Sequence, residues 1–138
     1  MSMSVITHIA NNAADYKAEI GTISGTSRAK IYTSVVPQGV KKPYARITLV
    51  SRPVENNKEE RGPTSFQYQI DHYADTSAKA EACEKAFIAA ITPYHNYKST
   101  VAGENVRSIR LMNGGGSGYN EPNENKERMI EISIRINP

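Results

Sequence analysis

The sequence predicts an α+β fold, in which an antiparallel β-sheet has two helices packed on one face and two long hairpin loops. Two segments repeat apolar residues at helical spacing, and five shorter segments alternate or are rich in β-branched residues. Two polar or glycine-rich stretches separate strands from one another. The 138 residues suit one core, so we expect a single domain over residues 1–138.

The first helix is predicted between Ser4 and Ile20. Its apolar residues lie at spacings typical of one helical face: Val5, Ile6, Ile9, Ala13, Tyr16 and Ile20. Asn11 and Asn12 lower the helix propensity, which leaves open a break at that point. The small, glycine-punctuated segment from Gly21 to Ser27 predicts a turn.

Three strands are predicted next. The first, Ile31 to Val36, is rich in β-branched residues and stops at Pro37-Gln38-Gly39. The second, Tyr44 to Val50, alternates and is expected to be half-buried. The third, Phe66 to Ala74, also has period two, and we expect it to pair with the second.

A long loop is predicted between the second and third strands. The segment from Ser51 to Ser65 is polar, charged and proline-bounded, with no period that buries a face. Unstructured loops above about 12–15 residues are uncommon in compact domains and are usually functional or disordered. A solvated loop and a contact loop explain this segment equally well.

The second helix is predicted after Asp75-Thr76-Ser77, which offers three potential N-cap residues, and it ends before Pro93. Its apolar face consists of Ala80, Cys83, Phe87, Ala90 and Ile91. Two strands follow, Val106 to Met112 and Met129 to Ile136, and the second alternates cleanly. The glycine-rich stretch between them, Gly114 to Asn125, has a high entropic cost of ordering and predicts a mobile hairpin loop.

Residues able to perform catalysis are few and scattered. His8, His72 and His95 lie in three different predicted contexts, and none has a His or Cys at metal-ligand spacing. His72 shares a strand face with apolar residues, which favours a packed, partly buried side chain over a base. Cys83 lies on the alanine-rich helix face, where a small, inert side chain is expected. We therefore expect no enzyme activity, no cofactor and no metal site.

Composition and charge exclude further classes. The net charge of +3 is spread along the chain without a basic run, so charge alone does not indicate nucleic-acid binding. No signal peptide or membrane-spanning stretch is visible, and we expect a soluble protein. The glycines from Gly114 to Gly118 lack the following Lys-Ser/Thr and helix that a phosphate-binding loop needs.

Several short motifs carry a family resemblance. They are Ile31-Tyr32, Val36-Pro37-Gln38-Gly39, Lys42-Pro43-Tyr44-Ala45, Phe66 to Thr76, and the helical pieces Ala80-Glu81-Ala82 and Ile88 to Ile91. Their order resembles that of phage tail-completion, or tail-terminator, proteins. The resemblance implies a ring, commonly a hexamer, that caps the head-proximal end of the tail tube, stops its polymerisation and offers a docking face to the head.

The partners implied are further copies of the chain, the tail tube protein and the head–tail connector or neck proteins, with genomic DNA passing through the lumen. No membrane is implied, and the expected location is the virion tail or neck, after assembly in the host cytoplasm. Flexible loops that order on assembly can seal ring joints. We therefore expect the contacts in the two loops, at Glu55, Asn57, Lys58, Arg61, Gly115, Gly116, Tyr119, Asn120 and Glu121.

Two alternatives stay open. A head-completion, or stopper, protein of the neck would have a similar size and equally little catalytic chemistry. A small basic nucleic-acid-binding module belongs to another class, and its binding to DNA would depend on salt.

Overall fold

The computed structural model describes residues 2–33, 35–51, 64–95, 99–116, 119–120 and 125–137. Three helices and seven strands are found in these residues. Along the chain they are α1 (Ser2–Asn11), α2 (Ala14–Ile20), β1 (Ile31–Thr33), β2 (Tyr44–Ser51), β3 (Thr64–Ala74), α3 (Ser77–Ile91), β4 (Ser99–Val101), β5 (Glu104–Gly116), β6 (Tyr119–Asn120) and β7 (Asn125–Asn137). The predicted α+β class is confirmed.

The strands form one sheet in the order β1-β2-β3-β7-β5-β4, and β6 pairs with β7. All pairs are antiparallel except β1 with β2, which are parallel, so the sheet is mixed where a purely antiparallel one was predicted. Ile31 lies opposite Ala45, close to the start of both strands. The chain therefore returns through residues 35–43 to the level at which β1 began, and β2 runs in the same direction.

The predicted first helix is two helices, α1 and α2, with the break at Asn12 and Ala13, next to the asparagines that lower the helix propensity. Asn12 Nδ2 donates to the carbonyl of His8 at 2.8 Å. Asn11 Oδ1 accepts a hydrogen bond from the Ala29 amide at 2.8 Å. The break left open by the sequence is present. The hydrogen bond between Asn11 and Ala29 connects the end of α1 to the segment before β1.

Helix α3 begins where the sequence predicted. The Oγ1 of Thr76 accepts a hydrogen bond from the Lys79 amide at 3.1 Å, which makes Thr76 the N-cap. The helix ends at Ile91, and a single 3-10 turn over Thr92–Tyr94 follows. Lys79 Nζ lies 2.9 Å from Glu19 Oε1, so an ion pair links α3 to α2.

The core lies between the sheet and the helices. On β7, Ile130, Ile132, Ile134 and Ile136 are buried on one face, as the alternation predicted. Tyr16 of α2 and Phe87 of α3 are fully buried in the same apolar cluster. Helix α3 contacts β3, β5 and β7, and α1 contacts both terminal strands, β1 and β4. Since one helix reaches both ends of the strand order, the sheet is strongly curled.

The second predicted loop is largely a strand pair in the residues described. Strand β5 continues to Gly116, which pairs with Met129, and β6 pairs Tyr119 with Lys126. Main-chain hydrogen bonds to the long strand β7 offset the entropic cost of ordering the glycines, a tertiary contribution that local composition does not contain. The short strand β4 was not predicted either.

Candidate assembly surface

The polar group buried most deeply is a histidine on the core face of β3. His72 is fully buried, and its Nε2 lies 2.8 Å from the Tyr16 hydroxyl. The Phe87 ring packs against it with a centroid distance of 5.7 Å. Burial lowers the pKa of His72 to about 3, so the ring is neutral. A neutral ring enclosed by aromatic groups is a core residue, and it is buried more completely than the sequence predicted.

The single cysteine is equally enclosed. Cys83 is fully buried on α3, with Sγ 3.7 Å from the Glu19 carbonyl oxygen. Burial raises the pKa of its thiol to about 11, which removes the thiolate that nucleophilic chemistry needs. The predicted burial of Cys83 is confirmed.

No cluster of three metal-ligating side chains occurs among the described residues. No helix in the described part of the chain is long and apolar enough to cross a membrane. One open cleft of about 480 Å³ lies between the turn after α2 and the segment before β2. Its lining is Thr22, Ile23, Ser24, Lys30, Gln38, Gly39, Val40 and Lys41. Because that lining has no histidine, cysteine or carboxylate, the cleft holds no acid–base pair.

A polar surface covers the side of the sheet opposite the core. We call it the polar face, and its residues on β2, β3, β5 and β7 include Arg46, Thr48, Gln67, Gln69, Asp71, Ser108, Glu131, Ser133 and Arg135. Asp71 is only 2% exposed, and Gln69 Nε2 donates to both of its carboxylate oxygens at 3.1 Å. The register places Arg46 directly beside Asp71. The face therefore mixes charges of both signs.

The polar face retains unused hydrogen-bonding capacity. Four buried atoms on it have no hydrogen-bond partner among the described residues: Arg46 Nε, Thr48 Oγ1, Ser108 Oγ and Arg135 Nε. Buried polar groups in folded proteins are almost always satisfied, by protein or by water. Because these four atoms are buried, they are not available to a partner protein without a rearrangement of the face.

Two stretches of strand have no described strand on their outer side. Strand β1 covers β2 only from Ala45 to Ile47, which leaves the stretch Thr48–Ser51, the β2 edge. Strand β4 covers β5 only from Glu104 to Val106, and no described strand lies outside the stretch Arg107–Gly116, the β5 edge. Exposed strand edges are templates for pairing with another chain.

Large apolar side chains are exposed at these edges. Val50 on the β2 edge is 48% exposed, and Leu111 and Met112 on the β5 edge are 42% and 49% exposed. Val35, just after β1, is 76% exposed. These four are the exposed large apolar residues of the described chain, so its exposed apolar surface is concentrated beside strand edges.

The residues predicted as assembly contacts fall into two groups. Glu55, Asn57, Lys58, Arg61 and Glu121 lie outside the described residues. The others lie in strands: Gly115 and Gly116 end β5, and Tyr119 and Asn120 form β6. The exposed apolar residues of the edges were not among the predicted contacts. In the sequence, Leu111 and Met112 belong only to a weakly alternating segment, 106–112, and Val50 only ends the alternating segment 44–50.

The fold and surface thus define a small curled-sheet α+β protein with a polar sheet face opposite the core and two stretches of strand without a described outer neighbour. No family model matches the chain, and no curated protein matches it by sequence. The fold is similar to that of a chain in a solved structure described as the virion of a native gene transfer agent (GTA) particle. The TM-score is 0.71 at 14% identity, over 98% of this chain and 93% of that chain.

A second solved structure, of a protein without a functional name, has a TM-score of 0.57 at 11% identity. It covers 100% of this chain and 97% of that chain. At these identities, both likenesses show a shared fold over almost the whole length of each protein.

Proposed function

We propose that the chain is a structural tail-terminator subunit of a phage or phage-like particle. As a one-domain protein it forms a ring, of six copies, at the head-proximal end of the tail tube. The ring stops tube polymerisation and provides the docking face for the head or neck. Its partners are other copies of itself, the tail tube protein and the connector proteins, and genomic DNA passes through its lumen.

The observation that supports this proposal most strongly is the full-length fold shared with a chain from a virion particle. The order of motifs from Ile31 to Ile91 narrows the proposal to tail completion, because it resembles that family. A non-enzymatic role is supported by the environment of the two most reactive side chains, since His72 is neutral in the core and Cys83 is enclosed. Virion assembly in the host cytoplasm follows from the same role.

A stopper protein of the neck is the second candidate, because the likeness to a virion chain supports it equally. The nucleic-acid-binding alternative receives less support from the surface. On the polar face Arg46, Arg110 and Arg135 are accompanied by Asp71 and Glu131, so the face is not uniformly basic, whereas non-specific binding to phosphates relies on Lys and Arg.

Native mass spectrometry with two candidate partners tests the proposal. The purified chain is measured alone, with the tail tube protein of the same particle, and with its connector protein. A terminator gives a closed oligomer of one size that binds the tube protein. A chain that binds only the connector is a stopper, and a chain that stays monomeric with both partners contradicts the proposal.

A further inference from the structure

The basic residues are unevenly distributed along the chain, although they form no continuous run. The segment from residue 17 to residue 46 contains six of the 17 basic residues: Lys17, Arg28, Lys30, Lys41, Lys42 and Arg46. It contains one of the 14 acidic residues, Glu19, which is paired with Lys79 of α3 at 2.9 Å. Six basic residues and one acidic residue give this segment a charge of +5, and the rest of the chain has 11 basic and 13 acidic residues. The positive charge of the protein therefore comes from this segment.

The open cleft described above is built from the same segment, and we call it the basic cleft. One wall is the turn after α2, Thr22 to Ser24, and the other is the connection before β2, Gln38 to Lys41. Lys30 connects the two sides. Its amide donates a hydrogen bond to the Gly21 carbonyl at 3.1 Å, and its ammonium donates one to the Lys41 carbonyl at 2.8 Å.

The side chain of Lys30 is held in place before any ligand arrives. Its stem packs against Gly21, where a Cβ atom would lie only 3.2 Å from Lys30 Cε. Its ammonium is held by the Lys41 carbonyl. A side chain that is already ordered loses less conformational entropy on binding than a free one. Because an ammonium has three donors, two of them remain for a ligand.

The lining favours an anion. Its polar side chains can all donate hydrogen bonds, and no carboxylate is among them: Thr22, Ser24, Lys30, Gln38 and Lys41. The Lys41 side chain is exposed, and no ion pair joins it to the described residues. Lys42 is different, because its ammonium lies 4.0 Å from the Asp75 carboxylate. The cations of the cleft are therefore Lys30 and Lys41.

The shape and the apolar lining favour a protein segment over nucleic acid. Ile23 and Val40 are partly buried and add apolar surface, which phosphate groups do not use. Specific DNA interfaces cover at least about 600 Å² of protein surface and rely on many basic residues. The basic cleft has two lysines in about 480 Å³, a volume within the range of about 300–1,000 Å³ that is typical of ligand sites. Since the cleft is open, an extended chain can cross it.

We infer that the basic cleft binds an acidic segment of a partner protein. A carboxylate of that segment bonds Lys30 and Lys41, and a neighbouring apolar side chain packs against Ile23 and Val40. Such charge-assisted hydrogen bonds are stronger than neutral ones, and salt weakens them where they are exposed. The inference goes beyond the proposed ring, because it names the chemistry of a partner and does not depend on how many copies assemble.

Fluorescence anisotropy with a defined peptide tests the binding. The full chain is titrated at low ionic strength into a fluorescein-labelled peptide of eight residues that contains only glutamate and valine. The control peptide has glutamine in place of glutamate. The glutamate peptide should bind saturably and at least about tenfold more tightly than the glutamine peptide. Raising the salt to about 0.5 M should remove most of this difference.

Substitutions locate the binding. Lys30→Gln and Lys41→Gln should each weaken binding of the glutamate peptide by about two- to fivefold, the effect of losing one partly exposed charge pair. Lys85→Gln removes the same charge from an exposed side chain of α3 and is the matched control, which should bind like the wild type. Lys41→Gln also guards against damage to the fold, because the Lys41 side chain is exposed, and its urea midpoint should equal that of the wild type.

Each outcome supports or overturns the inference. Equal losses from Lys41→Gln and Lys85→Gln would mean that the peptide follows net charge, which overturns the cleft as a site. Tighter binding of a duplex of about 20 base pairs than of the peptide, through Lys30 and Lys41, would make nucleic acid the occupant. No binding of the glutamate peptide at low salt also overturns the inference. A chain that binds the peptide but stays monomeric with tube and connector proteins keeps the cleft and contradicts the ring.

Discussion

Lowering the pH should destabilise the fold through one residue, His72. Its pKa is about 3 in the folded protein, against 6.5 for an ordinary histidine. Between these values the unfolded chain binds a proton that the native state does not bind. Stability is therefore complete above about pH 6.5 and is lost as the pH falls towards 3.

The loss follows from the difference in bound protons. One pKa unit corresponds to about 1.4 kcal/mol, so this residue should cost about 2–3 kcal/mol between pH 6 and pH 4. That is a large part of the about 5–15 kcal/mol by which such domains are stable. The native site offers the imidazolium little compensation, because His72 is enclosed by Tyr16 and Phe87 and Nδ1 has no partner among the described residues.

Urea denaturation across this pH range measures the effect. His72→Gln removes the titration and keeps an amide able to bond the Tyr16 hydroxyl. The free energy of unfolding of the wild type minus that of this variant should fall by about 2–3 kcal/mol from pH 6 to pH 4. His95→Gln, at an exposed position, is the control and should follow the wild type. Parallel pH profiles for the wild type and His72→Gln, in the same oligomeric state, would show that His72 does not cause the loss of stability at low pH.

Three further substitutions or reactions follow from the same contacts. Tyr16→Phe removes the 2.8 Å hydrogen bond to His72 and should lower the free energy of unfolding by about 1–3 kcal/mol, measured by urea denaturation. An unchanged urea midpoint would mean that this hydrogen bond does not stabilise the fold. Thr76→Ala removes the N-cap of α3 and should cost about 1 kcal/mol, and Thr76→Ser should keep most of it, so equal losses would contradict a capping role. Cys83 should react with maleimide only after denaturation, because it is buried and its thiol pKa is about 11; rapid labelling of the native protein would disprove its burial.

The regular parts of the fold could be predicted because their local signals agree with their surroundings. The alternation of Ile130 to Ile136 fixes the buried face of β7 whatever its neighbours are. The start of α3 is encoded by Thr76, whose side chain caps the helix. The capping bond of α3 joins residues three apart in the sequence, and in β7 the alternation by itself separates the apolar core face from the polar face.

The remaining parts depend on distant contacts. The direction of β1 relative to β2 depends on the path of residues 35–43, for which no periodicity exists. The glycines at the end of β5 join a strand because β7 lies beside them. Asn11, at the end of α1, accepts a hydrogen bond from the Ala29 amide, which is far away in sequence.

The candidate surface was harder to predict than the fold for the same reason. Contacts were expected where periodicity is lost, in the two loops, because a loop is visible in sequence. An open strand edge becomes visible only when the strand order is known. Val50 and Met112 belong to predicted strands, and nothing local shows that β1 and β4 are too short to cover them.

Tube length measured by electron microscopy shows whether the chain stops tube polymerisation. Tail tube protein of the same particle is polymerised with increasing amounts of the chain, and the lengths and ends of the tubes are recorded. We expect shorter tubes with a ring of the chain at one end. Tubes of unchanged length without capped ends, at amounts of chain that exceed the tube ends, would contradict the account.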